Sequence, residues 1–439
     1  MKEKCDVVVI GAGIAGLSAA ARLAYSGYKV VLLEKATVLG GRFTYADYKG
    51  YKIPVAAWMI SFGKHDPVYK TMQDVGIPEM EMYDLSRIRR RYKVSGKEFD
   101  LPEKGGVQTL ISYASKDKTE EEKVMAKVRR ALRWQEPSDT ISFKEWLFQY
   151  TDNEEIYKVF QGVIKAWLGM NGHELPAGEF FRIFRNIASS SIGLIPKNGL
   201  NDIIDAFEGV IRNNGGKIWT RTAVKQIVVD EEGVAKGVVA QGVKEKLEVE
   251  ARAVISNVGP KETINLAGEK NFDKGYLKEV AERIRPAAGM NFLVASDQPL
   301  FDDIDWYCDM DSSRLEWWVD LSAVYPGCVP EGKHLISSFV CPDSTLDYDP
   351  QKEYEAVLKD LEKAIPKFKE HGEILLAHNF CGVWPVSRSW SGYMVTQKTP
   401  IEYLYNVGDA VNPTGWPVGA GAAESARIVA EDVKARIKL

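Results

Sequence analysis

The sequence contains little cysteine and little histidine, and neither sign of charge predominates. Among 439 residues there are five cysteines and five histidines, and 57 basic against 61 acidic side chains leave a net charge of −4. The cysteines form no C-x-x-C pair and the histidines show no metal-ligand spacing, so neither a metal site nor a redox pair is indicated. The balanced charge excludes a strongly basic nucleic-acid-binding protein, and the sparse cysteines fit a cytoplasmic location.

Long hydrophobic runs are also lacking. Outside the stretch 7–21, no run of about 18 uncharged apolar residues occurs, so no membrane-spanning helix is predicted. The apolar stretch 7–21 follows Lys2 and Lys4 and imitates a secretory signal, but glycines at fixed offsets interrupt it and a second apolar strand follows. This stretch therefore predicts a buried structural unit.

The segment 6–34 predicts a strand, a helix and a second strand. Residues 6–10 and 29–34 are apolar and strand-like, and residues 14–26 between them are small and compatible with a helix. This order predicts a right-handed βαβ unit. The helix begins at a G-x-G-x-x-G motif that occupies residues 11–16.

Each glycine of this motif has its own task in dinucleotide binding. Gly11 permits a tight turn, Gly13 lets the backbone approach a pyrophosphate, and Gly16 lets helix and strand pack closely. Ile14 and Ala15 begin the helix, whose N-terminus attracts phosphate. A glycine-rich turn without a ligand is the alternative interpretation.

An acidic residue at the end of the second strand strengthens the dinucleotide interpretation. Glu34, followed by Lys35, lies where a carboxylate accepts hydrogen bonds from the adenosine ribose. A nicotinamide-binding domain would continue with further βα units, whereas here Gly40, Gly41 and Arg42 follow. Gly41 lets a second stretch of backbone approach the cofactor, and Arg42 can pair with its phosphates or with a neighbouring carboxylate. These features favour a flavin.

Three segments together resemble the FAD-dependent amine oxidase and phytoene desaturase superfamily. They are V-V-V-I-G-A-G-I-A-G-L-S-A-A-A-R-L, V-V-L-L-E-K with G-G-R, and L-Y-N-V-G-D-A-V-N-P-T-G-W-P-V-G-A-G-A-A-E-S-A. The resemblance implies an FAD-dependent oxidoreductase. Because no cysteine or histidine that could tether the flavin accompanies these motifs, we expect the FAD to be noncovalent. The resemblance also places the adenine against the backbone of Val224.

The third segment is expected to serve the flavin end of the cofactor. Gly408 and Asp409 follow a short strand, and Asp409 is expected to accept hydrogen bonds from ribityl hydroxyls or from amides near the pyrophosphate. The helix that starts near Val418 is expected to direct its N-terminus at the isoalloxazine ring and stabilise negative charge there. Trp416 is expected to flank the flavin or the substrate, with simple core packing as the alternative.

One segment departs from the family pattern. After Gly50 the family usually has an Asp and then a Gly beside the flavin, and this chain has Pro54 and Ala56. The backbone there must follow a path that alanine allows. Ala57 and Trp58 are expected to contact the cofactor.

The pattern of elements predicts an α/β fold with three parts. A Rossmann-type FAD-binding domain is assigned to residues 1–65, 190–285 and 396–439. An antiparallel-sheet substrate domain is assigned to 66–105 and 286–395, and a helical insertion to 106–189. Antiparallel strands that do not continue the first βαβ unit are expected within 43–51, 89–101 and 218–249.

The chemistry requires no nucleophilic side chain, because the flavin itself exchanges the hydride. No catalytic residue is therefore assigned. The many large aromatic residues of 286–395 predict a mainly apolar substrate. The resemblance to phytoene desaturases implies that this substrate is isoprenoid-like and is desaturated, isomerised or saturated. Two alternatives stay open: oxidation of an amine, and a carrier of prenylated ligands without redox turnover.

Two features leave peripheral contact with a membrane open. The basic run 86–93 is interpreted as a solvated hairpin face, with contact to an anionic head group or substrate phosphate as the alternative. The aromatic insertion is interpreted as packed core, with contact to a membrane interface as the alternative. The sequence does not indicate an oligomeric state.

Overall fold

The computed structural model describes residues 1–100, 106–115, 117–188, 190, 193–312, 314 and 317–439. Its α-helices are α1 (Ile14–Tyr25), α2 (Pro67–Asp74), α3 (Val107–Ala114), α4 (Lys118–Arg133), α5 (Phe143–Leu147), α6 (Glu154–Leu168), α7 (Ala177–Ala188), α8 (Asn201–Asn213), α9 (Pro260–Ala267), α10 (Lys274–Arg283), α11 (Leu321–Val324), α12 (Pro350–Ala364), α13 (Phe368–His371) and α14 (Val418–Arg436). Short 3-10 turns occur at Gly63–His65, Leu85–Arg87, Glu269–Asn271 and Pro326–Cys328.

The strands alternate with these helices along the chain, which gives the α/β class expected from the sequence. They are β1 (Lys2–Ile10), β2 (Val30–Leu33), β3 (Tyr45–Tyr48), β4 (Tyr51–Pro54), β5 (Met82–Asp84), β6 (Arg90–Val94), β7 (Lys97–Asp100), β8 (Leu194–Pro196), β9 (Lys217–Trp219), β10 (Ala223–Val229), β11 (Ala235–Gln241), β12 (Lys246–Ser256), β13 (Gly289–Ser296), β14 (Trp306–Asp309), β15 (Trp317–Asp320), β16 (His334–Val340), β17 (Gly372–Phe380) and β18 (Leu404–Asn406).

The first sheet has the order β10-β11-β12-β1-β2-β9, and β18 pairs with β12. Strands β9, β2, β1, β12 and β18 are parallel, with Val8 opposite Val31 on one side and Val254 on the other. The apolar residues of β1 and β2 are buried on both faces, as parallel strands require. Helices α1, α8 and α14 cover one face, and α9 and α10 pack on the other.

Strand β9 corrects the expectation that the pattern after the first βαβ unit is antiparallel. It pairs in parallel with β2, Leu32 opposite Ile218, and α8 precedes it. The unit therefore continues through one more helix and strand. Three residues are too few to display a periodicity, so the sequence pattern does not distinguish β9 from the antiparallel strands that follow it. Strands β10, β11 and β12 are antiparallel to one another, as expected.

The second sheet has the order β17-β13-β16-β15-β14-β6-β7. Its strands come from the two segments assigned to the substrate domain, and its neighbours are antiparallel except for the parallel pair β6 and β14. The β3–β4 and β6–β7 hairpins lie where antiparallel strands were expected. Leu101, at the end of the expected segment 89–101, is outside the described residues.

The helical insertion comprises α3 to α7. Its aromatic rings form a core of their own, in which Phe143, Phe160 and Phe181 are fully buried. These rings pack inside the protein, as the sequence analysis expected. Contact of the insertion with a membrane, the alternative, stays a prediction. No helix in the described part of the chain is both long and apolar enough to cross a bilayer.

Three of the basic residues in the run 86–93 form ion pairs. The pairs are Arg89 with Asp303 and Asp305, Arg91 with Asp100, and Lys93 with Asp309. These pairs leave less free positive charge for an anionic ligand than the sequence suggests, and contact with such a ligand stays a prediction.

Candidate functional site

The glycine-rich turn joins β1 to α1 in the geometry that its sequence predicts. Gly11 has a φ of +90°, a conformation that a side chain would strain. A Cβ on Gly16 would lie 2.0 Å from the carbonyl oxygen of Gly11, so only glycine lets the helix approach the strand here. Gly13 precedes α1 and provides no side-chain cap of its own. The first helical residues, Ile14 and Ala15, line the cavity described below, so the positive end of this helix lies where a ligand can approach it.

Glu34 lies at the end of β2 and holds two segments of backbone. One carboxylate oxygen accepts a hydrogen bond of 2.7 Å from Ala12 N, and the other accepts one of 2.8 Å from Ala36 N. Each oxygen has a further lone pair for a ribose hydroxyl. Glu34 therefore fixes the glycine-rich turn and also lines the cavity described below.

Arg42 resolves the choice that the sequence left open between phosphate and carboxylate. Its guanidinium donates to Asp409 Oδ2 at 2.6 Å and to the carbonyl oxygens of Pro385 at 2.8 Å and Val386 at 2.5 Å. The carboxylate is thus its partner in the protein itself. The pairing joins the loop after β2 to the loop after β18.

Asp409 lies between two arginines. Arg388 donates to it from its backbone N at 2.9 Å, and its guanidinium lies 3.5 Å from Oδ1. Burial alone would raise the pKa of Asp409, but the charges of Arg42 and Arg388 hold this pKa below its ordinary value. The three side chains carry a net charge of about +1, which favours an anionic ligand beside them.

Three helices begin at the same cavity. Its lining includes Ile14 of α1, Pro260 of α9, and Val418 and Gly419 of α14. Helix N-termini carry partial positive charge and unpaired N–H groups, so their convergence further favours anions such as a pyrophosphate. The start of α9 was not recognised as part of the site from the sequence.

The cavity has a volume of about 1560 Å³ and runs from the end of β2 to the second sheet. The residues predicted to bind the cofactor that line it are Gly11, Gly13, Ile14, Ala15, Glu34, Lys35, Gly41, Arg42, Ala57, Trp58, Val224, Gly408, Asp409 and Val418. Residues far apart in the chain thus meet in one cavity. The glycine-rich turn, the three helix N-termini and the net positive charge fit the pyrophosphate of FAD.

Two predicted residues are not part of the lining. Gly16 lies behind it, where its role is the close packing of α1 on β1. Trp416 lies at the start of the turn into α14, and its ring packs edge-on against Phe62 at 5.3 Å between centroids. Contact of Trp416 with flavin or substrate stays a prediction.

Beyond the positively charged part, the cavity has a wall of aromatic side chains, Trp58, Trp167, Trp317 and Phe339. We call this set the aromatic wall. The rings of Trp58 and Trp317 lie 6.4 Å apart, and a Cβ on Gly169 would touch Phe339 at 3.0 Å. Its members come from the loop after β4, from α6, and from β15 and β16 of the second sheet, so no single segment of the sequence reveals the wall.

Two further residues of the lining were missed by the sequence analysis. In the orientation that satisfies both ends of its amide, Asn257 Oδ1 accepts from Gly13 N at 3.2 Å and Gly16 N at 3.3 Å. It follows β12, the parallel neighbour of β1, and this position at a strand's carboxyl end was a usable signal. Arg388 lies in a loop whose sequence carries no such signal.

Within the residues that the structure describes, no group of three or more His, Cys, Asp or Glu side chains is placed to hold a metal ion.

Comparisons with known proteins agree with this geometry. The sequence profile of the flavin-containing amine oxidoreductase family matches residues 14–434. An oxidoreductase from Methanosarcina mazei with a crystal structure is 28% identical, with a TM-score of 0.86 over 98% of this chain and 100% of that chain. A phytoene desaturase from Fusarium fujikuroi is 24% identical over 76% of this chain and 65% of its own length.

A likeness in fold extends to amine oxidases. The structure of a triple mutant of putrescine oxidase has a TM-score of 0.76 over 100% of both chains, at 15% identity. Together with the profile match over almost the whole sequence, the glycine-rich turn, Glu34 and the Arg42–Asp409 pair identify this chain as a member of the flavin-containing amine oxidoreductase family, and thus as an FAD-dependent oxidoreductase.

Proposed function

We propose that this oxidoreductase transfers hydride between a mainly apolar, isoprenoid-like substrate and its flavin. The aromatic wall is the observation that carries the proposal. Trp317 is only 5% exposed, and Trp58 is 8% exposed, yet both line the cavity. Such side chains hold an apolar ligand by packing and exclude water from the reacting bond.

The buried acids of the lining favour this substrate over a cationic amine. Of the described acidic residues on the lining, Asp66 and Asp409 are buried. Asp409 is paired with two arginines, and the oxygens of Asp66 accept from Val68 N at 2.9 Å and Phe62 N at 3.2 Å as the cap of α2. Neither carboxylate is thus available as the counter-ion that a buried ammonium requires.

FAD, when bound, supplies the position that exchanges the hydride with the substrate. The protein's own groups hold and orient the reactants. The glycine-rich turn and Arg388 would hold the pyrophosphate, Glu34 the ribose, and the N-terminus of α14 would stabilise negative charge that develops in the cavity. The aromatic wall would orient the substrate, and no side-chain nucleophile is required. In a desaturation one carbon would give its hydride to the flavin, and its neighbour would release a proton to the reduced flavin or to bulk water, so that two electrons and two hydrogens leave the substrate.

We further propose that the FAD is not covalently attached. None of the described residues that line the cavity is a cysteine or a histidine, the usual side chains for a covalent flavin link. Precipitation with acid should therefore release the yellow cofactor into the supernatant. Colour that stays in the pellet would contradict this part of the proposal.

Anaerobic rapid mixing tests the substrate class. The purified holoenzyme is mixed with panels of hydrophobic alkenes and of amines, and flavin reduction is followed by absorbance. We expect members of the apolar panel to reduce the flavin. If the enzyme saturates its substrate instead, we expect members of the same panel to oxidise flavin that has been reduced beforehand. Efficient reduction by amines alone would establish the amine oxidase alternative, and a flavin that no panel member cycles would favour a carrier.

Two adjacent tryptophans provide a matched pair of variants. Trp317 and Trp318 follow each other on β15, but Trp317 faces the cavity while Trp318 is buried in a different core cluster. Each Trp→Leu change removes a similar buried volume. We expect W317L to slow flavin reduction at least tenfold with FAD still bound, and W318L to lower stability without this effect. Equal rates of flavin reduction in the two variants would contradict a role of the aromatic wall in substrate binding.

A further inference from the structure

Hydrogen bonds from the helical insertion hold the loop that leads into α14. The backbone N–H of Gly415 donates to Glu179 Oε1 at 2.9 Å, and the Gly415 carbonyl accepts from Asn186 Nδ2 at 2.7 Å. Glu179 and Asn186 both belong to α7 and are seven residues apart, so they share one face of that helix. One helix therefore satisfies both polar groups of one residue in a loop 229 residues downstream.

Glu179 is held in place by its other contacts. It is fully buried, and its second oxygen accepts from Arg182 Nε at 2.8 Å. Arg182 in turn donates to Glu136 at 2.6 Å and to Asp139 at 2.7 Å. Burial raises the pKa of Glu179, against the opposing effects of the Gly415 N–H and Arg182. Such a carboxylate has one well-defined position from which to accept the Gly415 N–H.

The loop lies directly on α7. Gly415 has a φ of +83°, and a Cβ there would meet Arg182 Cβ at 3.3 Å and Asn186 Nδ2 at 3.4 Å. Neither the backbone conformation nor the available space suits a larger residue. The position of Gly415 is therefore fixed relative to the insertion.

Gly415 is three residues before the start of α14, where Val418 lines the cavity. A Cβ on Gly421 would lie 2.1 Å from the carbonyl oxygen of Trp416, which shows how tightly the loop packs on the first turn of α14. Trp416 also contacts Phe62, whose ring is 5.7 Å from that of Trp167 in the aromatic wall. A displacement at Gly415 is thus transmitted to both the helix N-terminus and the wall.

We propose that Glu179 is a positioning residue: through Gly415 it sets the place of the α14 N-terminus and of Trp416 relative to the flavin. This inference rests on flavin binding, which the family shows, and is independent of the proposed substrate. The dipole at the start of α14 would stabilise reduced flavin in the cavity, so a displaced N-terminus should make the flavin harder to reduce.

Three variants of the purified holoenzyme separate positioning from general stability. E179A removes the acceptor for Gly415 N–H, E179Q retains a carbonyl acceptor, and E136Q weakens the ion-pair cluster without touching Gly415. The measurements are the midpoint potential of the flavin, determined by dye-coupled reduction, and amide hydrogen exchange in the peptide that contains Gly415.

For E179A we expect a lower midpoint potential and at least tenfold faster exchange at the Gly415 amide. We expect E179Q and E136Q to resemble the wild type in both. If E179A does not fold, N186A provides the same test from the carbonyl side, with the same two shifts expected. An unchanged potential in E179A or N186A, or an equal shift in E136Q, would overturn the proposal.

Discussion

Arg42 and Asp409 lie 367 residues apart in the chain and form an ion pair of 2.6 Å in the wall of the cavity. The side chains are 16% and 9% exposed, so water screens the pair only weakly. It connects the loop after the second strand with the loop after β18. The stability of the cofactor site should therefore depend on this contact.

Replacing Asp409 tests that dependence. D409N leaves the buried charges of Arg42 and Arg388 without a counter-ion, so we expect the free energy of unfolding to fall by about 3–5 kcal/mol. Urea denaturation followed by circular dichroism measures it. D303N removes one of the two partners of Arg89 at an exposed ion pair, and should change stability by less than about 1 kcal/mol. Similar losses in both variants would show that burial does not matter here.

Glu34 should contribute to FAD affinity in two ways. E34A removes the acceptor for the ribose and also the bonds from Ala12 N and Ala36 N that hold the glycine-rich turn. We expect FAD binding to weaken by about 1.5–3 kcal/mol or more, measured by titration of the apoprotein with FAD. E402A, at an ion pair with Arg436 outside the cavity, is the control and should bind FAD normally. Unchanged affinity in E34A would remove Glu34 from the site.

Replacement by alanine should have opposite effects at two helical glycines: loss of FAD at Gly16 and a gain in stability at Gly209. In G16A the new Cβ would lie 2.0 Å from the Gly11 carbonyl oxygen, so the turn must shift and FAD content should fall sharply. In G209A nothing lies within 4 Å of the new Cβ, and the interior of α8 should gain about 0.5–1 kcal/mol. The flavin-to-protein absorbance ratio and urea midpoints report both effects. Full FAD content in G16A would contradict the assigned close packing.

Asp66 should make stability depend on pH in the acid range. Burial, opposed by hydrogen bonds from Val68 and Phe62, raises the pKa of Asp66 from 3.8 to about 6. Because the folded protein holds this proton more tightly than the unfolded chain, the stabilisation is complete below pH 3.8 and is lost as the pH rises to about 6. The difference amounts to roughly 3 kcal/mol.

This difference can be measured from the melting temperatures of the wild type and D66N. The measurements run from roughly pH 3.5 to pH 7, which spans both pKa values of Asp66. We expect the wild type to lose stability relative to D66N across that range. D84N changes an equivalent cap on an exposed turn and should follow the wild type. A constant difference between wild type and D66N would mean that Asp66 does not titrate there.

The parts of the site that sequence reasoning found are those built within one stretch of chain. Gly11, Gly13, Gly16 and Glu34 belong to one βαβ unit, whose geometry follows from the order of strand, helix and strand. Asp409 was placed because its segment resembles a family motif. The geometry of a local turn is thus readable from the spacing of its glycines.

Contacts between distant segments could not be read in this way. Whether Arg42 pairs with a phosphate or with a carboxylate depends on the position of Asp409 in the folded protein. The position of Arg388 depends on the path of a loop between two sheets. The three-residue β9 carries too little pattern to reveal its parallel pairing with β2. The Glu179–Gly415 bond depends on how the insertion docks, which no periodicity within α7 indicates.

The interleaving of early and late segments in the first sheet has a consequence for biosynthesis. Strand β12 pairs with β1 and also with β18, and Tyr28 donates to the carbonyl of Ile437 at 2.7 Å. A ribosome therefore releases β1, α1 and β2 long before β18, Asp409 and α14 exist to complete their surroundings. We expect a nascent chain that ends near residue 400 to retain no flavin, so that the enzyme acquires its colour only after translation has passed α14.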